Sequence, residues 1–143
     1  MSSPMLRFAV TVAALTLALP SLALAQESNL VGTYRCEGVS PGGSPYRTVV
    51  EITKDEETYE LRWRSAQGTA VGIGIVRGDV LAVSYFTGAN MGVVLYRIEK
   101  GPKLTGEWSV FGADGHRYPE TLTKLGVDAR GPDVDELPVA AAP

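Results

Sequence analysis

The chain has 143 residues, 13 Lys and Arg against 16 Asp and Glu, and a formal net charge of −3 with both signs mixed along its folded part. That length supports one core and not two, and the absence of a basic stripe excludes nucleic acid as an expected partner. One cysteine and one histidine exclude an internal disulfide and any recognisable metal-ligand cluster, so metal and cofactors are both expected to be none.

Residues 1–25 carry one cation, Arg7, then an apolar run from Phe8 to Leu19, a helix-breaking Pro20, and the small residues Ala23 and Ala25. This is the pattern of a cleaved signal peptide, and twelve apolar residues are too few to span a bilayer. The expected mature chain begins at Gln26, leaving 143 − 25 = 118 residues with no stable membrane anchor. The protein is therefore expected to be exported, periplasmic or secreted.

From residue 29 the sequence LVGTYRC alternates, with Leu30, Gly32, Tyr34 and Cys36 on one face, and reads as a strand. Residues 38–45, GVSPGGSP, read as a loop. YRTVVEIT then puts Tyr46, Thr48, Val50 and Ile52 on one side, and TYELRWRS sets Tyr59, Leu61 and Trp63 against Glu60, Arg62 and Arg64. In TAVGIGIVR the apolar Val71, Ile73 and Ile75 are expected to face inward, with Gly72 and Gly74 outside and permitting a bend.

Gly78-Asp79 reads as a two-residue hairpin turn, followed by a strand with Leu81, Val83 and Tyr85 on its inner face. GVVLYRIE sets Val94, Tyr96 and Ile98 opposite Val93, Leu95 and Arg97; its apolar start on both faces predicts a strand covered on both sides. Leu104, Gly106, Trp108 and Val110 alternate next, GADGH turns the chain, and a last strand runs over about 117–125. Residues 126–143 are acidic, rich in Ala and Pro and without periodicity, and are expected to be a disordered tail.

About eight strands with regular turn signals and no amphipathic helix specify an all-β, single-domain fold over residues 26–125. Short consecutive connections favour an antiparallel up-and-down barrel, which removes its edges by closing. Six aromatics, Tyr34, Tyr59, Trp63, Tyr85, Tyr96 and Trp108, fall in step with the inward positions and are the candidate ligand-binding residues. Their hydroxyl and indole groups need partners once buried, and a ligand is one way to supply them; an aromatic core without a cavity is the other reading. Carboxylates are expected on solvated faces, Cys36 in the core, and catalytic residues are expected to be none, because no base accompanies Ser65 or Ser84 and His116 stands alone.

The Gly32-Thr33-Tyr34 opening, the segment KLTGEW and the succession of short strands resemble the calycins, the avidin and lipocalin group of meander barrels. The resemblance implies the fold. It does not carry over a biotin site, since Cys36 stands where the avidins have asparagine, and Tyr34 stands where the lipocalin motif has tryptophan. The glycine and aromatic pattern is also similar to small exported bacterial proteins of unknown function, some labelled fibronectin-binding. Two functions follow as expectations: a non-enzymatic exported barrel holding a small or partly apolar ligand within its aromatic walls, or an interaction or adhesion-type module that uses its outer surface against an extracellular protein and has a filled core.

Overall fold

The computed structural model describes residues 29–126, apart from Pro102; the expected signal peptide and the tail from residue 127 onward lie outside the described residues. Eight strands follow one another: β1 (Gly32–Val39), β2 (Pro45–Asp55), β3 (Thr58–Ser65), β4 (Gly68–Arg77), β5 (Val80–Phe86), β6 (Met91–Ile98), β7 (Lys103–Val110) and β8 (Tyr118–Lys124). Each pairs antiparallel with the next, and β8 returns to β1, closing the barrel. No helix occurs among the described residues. The β1–β2 loop is shorter than the sequence suggests, because Gly38 and Val39 continue β1 and pair with Tyr46 and Pro45.

Alternation sets the inside and the outside on every strand. Tyr34 and Cys36, Val50 and Ile52, Leu61 and Trp63, Leu81 and Val83, Val94 and Tyr96, Leu104 and Trp108, and Leu122 are all buried in one core. Cys36 is wholly buried and unpaired, as its place in the alternation predicts.

One strand departs from expectation. On β4 it is Gly72 and Gly74 that face the interior, while Val71, Ile73 and Ile75 face out. The reason is space. A Cβ on Gly72 would lie 2.8 Å from the Ser84 carbonyl oxygen and from a Val83 methyl, and 3.1 Å from the Trp63 ring; one on Gly74 would lie 2.9 Å from Leu81. The same device recurs around the barrel, where an inward glycine stands opposite a large aromatic: Gly38 with Tyr46, Gly74 with Tyr59, Gly72 and Gly92 with Tyr85, Gly106 with Tyr96. A narrow barrel interior cannot hold a full side chain at every inward position, so rings lie over glycines.

Candidate functional site

The predicted aromatics are all buried inside the barrel, but they do not form one group. Trp63, Tyr85 and Trp108, together with Tyr46, Thr48, Ala70, Val94 and Glu120, line a small cavity near the end that carries the β1–β2, β3–β4, β5–β6 and β7–β8 loops. Tyr34 lies toward the opposite end, where its hydroxyl donates to the Leu30 carbonyl at 2.8 Å and the Lys124 ammonium sits 5.8 Å from its ring centre. Tyr59 lies near Lys54, whose ammonium is 5.7 Å from the ring centre.

What organises the interior is Glu120, which is buried on β8 against the expectation that carboxylates lie on solvated faces. Its position follows from the same alternation: Tyr118, Glu120 and Leu122 share a face, and Leu122 is core. The hydroxyl of Tyr46 donates to Oε2, the hydroxyl of Tyr96 donates to Oε1, and the Trp63 indole N–H reaches Oε1 at 3.4 Å. The carboxylate thereby exchanges water for neutral donors contributed by β2, β3 and β6, which offsets the cost of burying it.

Burial holds the phenols in their neutral form. Tyr34 is pushed up to about 12 by burial, with Tyr59 adding to it. Tyr46, Tyr85 and Tyr96 are also raised, by burial first and by the negative charge of Glu120 second. Cys36 is raised well above the ordinary thiol value by burial, then by Glu120, so its thiol is a poor nucleophile. Tyr85 donates to the Ser109 carbonyl at 3.2 Å. Among the described residues the indole N–H of Trp108 has no hydrogen-bond partner, and its ring packs against Tyr118 with centres 4.9 Å apart.

The cavity between these groups leaves about 20 Å³ for the centre of a water-sized sphere. One such sphere needs roughly 10 to 15 Å³, whereas ligand pockets run from roughly 300 to 1,000 Å³. Among the described residues no group of three or more His, Cys, Asp and Glu is placed to hold a metal ion.

No protein-family model matches the chain, and no curated protein matches it. The outer surface therefore has to be read on its own terms, and it has two unlike sides. On β1–β3 it is charged, with Arg47 3.0 Å from Glu37, Arg64 2.9 Å from Glu51 and Arg62 2.5 Å from Glu60.

On β4–β6 the outer surface is apolar. The register lines up Val71, Phe86 and Met91 in one row across β4, β5 and β6, Ile73, Ser84 and Val93 in the next, and Ile75, Ala82 and Leu95 in a third. Ile73, Ile75, Val93 and Leu95 each keep between 57% and 60% of their surface accessible. Two ridges, one on β4 and one on β6, flank the small outward residues Ala82 and Ser84 of β5, and a groove of about 550 Å³ runs over them and on across β6 to Glu107, Ser109 and Arg117. Phe111, the most exposed apolar side chain, adjoins the loop end of this face, its N–H donating to the Met91 carbonyl at 2.8 Å. β6 is not covered on both sides as its sequence suggests, since Val93 and Leu95 on its outward face lie open to solvent.

Proposed function

We propose that the protein is an exported, non-enzymatic, calycin-like barrel that works as an interaction module, docking the apolar β4–β6 face onto a protein that presents a complementary sheet face. The observation that carries this reading is the contiguous lattice of seven large apolar side chains, Val71, Ile73, Ile75, Phe86, Met91, Val93 and Leu95, left open to solvent. Together they expose on the order of 700 Å², taking about 100 Å² for each half-exposed side chain, against roughly 300 to 600 Å² for the largest patch on an ordinary monomer. Closure favours a face over a strand as the partner's contribution, because a barrel without a free edge offers no ladder to an added strand. The charged β1–β3 side interrupts the apolar surface, which favours a one-sided protein contact over a barrel immersed in lipid.

Binding a small ligand within the aromatic walls has less support, since the interior space is that of about one water molecule. The test is photo-crosslinking in the producing cells from a reactive group placed at Ser84, in the groove, or at Arg47, on the charged side. A defined protein adduct from position 84 that disappears with Leu95→Lys, and none from position 47, is the expected result. No adduct from position 84, or one that Leu95→Lys leaves intact, would overturn the reading.

A further inference from the structure

Resting on that docking reading, we infer that the occupant of the β4–β6 face is a second copy of this chain, packed across a two-fold axis. The face has the shape that self-pairing needs. An isologous contact requires one surface to be its own complement, each feature meeting its counterpart on the other copy. Here a ridge (Val93 and Leu95 of β6) runs beside a trough (Ala82 and Ser84 of β5), so rotation by half a turn seats the ridge of each copy in the trough of the other. A second ridge, Ile73 and Ile75 of β4, closes the far side of the trough and limits how the two faces can slide.

Charge permits the same pairing. The apolar face is flanked on one side by Arg62 with Glu60 and on the other by Arg117 with Glu107, the latter pair 2.8 Å apart. Both flanks are compensated within the chain, so an identical copy meets no row of like charge, and nothing at the flanks selects a partner of one sign. Area agrees as well. A stable interface takes about 800 Å² from each partner, and on the order of 700 Å² of large apolar side chains stands ready before any rim residue is added. Sheet faces pack about 10 Å apart, the separation at which interdigitated Val, Ile and Leu fill the gap. With β4–β6 covered in this way, the charged β1–β3 sides of both copies point outward, which keeps the pair soluble.

Sedimentation velocity on the full-length product, from about 1 to 100 µM, a span that brackets a micromolar dissociation constant, tests the inference. The expected result is a monomer–dimer equilibrium that Leu95→Lys or Ile73→Lys weakens by at least about 100-fold, since burying an unpaired ammonium in such a contact is costly. Both positions are more than half exposed in the single chain, so circular dichroism should be unchanged, as should the melting temperature at concentrations where both proteins are monomeric. A bis-thiol reagent that spans about 10 Å should join two copies of Ser84→Cys and not two of Arg47→Cys, with Cys36 buried in both. A monomer at every concentration, or a dimer that survives Leu95→Lys, would overturn self-pairing. A monomer whose position 84 still crosslinks to a different protein refutes the second copy and leaves the docking reading standing; a monomer with no adduct refutes both.

Discussion

Tyr46 on β2 and Glu120 on β8 are hydrogen-bonded inside the barrel although β1 lies between their strands. Their bond runs across the interior, not along the sheet, and with Tyr96 and Trp63 it ties three other strands to the carboxylate of β8. Three buried donors thus depend on a single side chain.

Glu120→Ala should cost about 3 to 9 kcal/mol, since it orphans three buried donors at roughly 1 to 3 kcal/mol each. Glu120→Gln keeps one acceptor oxygen, and a phenol can turn to accept from the new amide, so its loss should be about 1 to 2 kcal/mol. Urea melts of both variants check this. A Gln variant as stable as the unmodified protein, beside a destabilised Ala variant, would mean that Glu120 contributes volume alone.

Gly72→Ala should destabilise by about 1 to 3 kcal/mol, because its methyl would come within 2.8 Å of the Ser84 carbonyl oxygen and of a Val83 methyl and force the β5 backbone to move. Glycine in a strand ordinarily yields about 0.5 to 1 kcal/mol on replacement by alanine, so the sign is opposite to the usual one. A gain in stability would show that Gly72 faces outward after all.

Trp63→Ala should cost about 3 to 5 kcal/mol, since the indole is buried and its N–H serves Glu120. Arg62→Ala, one residue away and paired with Glu60 on the surface, should cost about 0.5 kcal/mol or less. The two melts compare the faces of β3 directly, and a larger loss at Arg62 would reverse them.

Stability should fall steeply in alkali. A phenol whose value is raised on folding stabilises the barrel fully below its unfolded value, and that contribution is lost as pH climbs through the folded value. For Tyr34 the window runs from 10.0 to about 12, and the raised values of Tyr46, Tyr85 and Tyr96 act in the same direction. Phenolate absorbance from Tyr34, Tyr46, Tyr85 and Tyr96 should therefore appear together with loss of β-structure. Gradual titration of these four with the fold intact is the contrary outcome.

The order of strands, their direction and the inward aromatics were legible because period-two alternation and turn residues act locally. The face of β4 was misread for a reason that is also local. Apolar residues alternate there with glycine, and hydrophobicity alone sends Val71, Ile73 and Ile75 to the core. The two-residue turn at Gly78-Asp79 carries the opposite information. It sets Arg77 across from Val80, hence Gly74 across from Val83, and a strand whose Val83 points inward must share that face with Gly74. Gly78, with φ of 62°, supplies the left-handed turn position that fixes this count. Glu120 was missed because a lone carboxylate looks like surface; its step with Leu122 was the available signal. The cavity size and the hydrogen bonds across the interior depend on strands that are distant in sequence, and no local pattern encodes them.

The seam between β1 and β8 bears on how the barrel assembles. Seven of its eight pairings join neighbours in the chain, whereas the eighth sets Tyr34 against Lys124 and Cys36 against Leu122. Closing so long a loop comes late and limits the rate, since local hairpins form without that entropy cost. Until it closes, β1 shows a bare edge, and a bare edge invites pairing with another unfinished chain. Arg35 and Glu37, on the outward face of that strand, are the kind of charged guards that discourage such a mispairing while the last strand is still on its way.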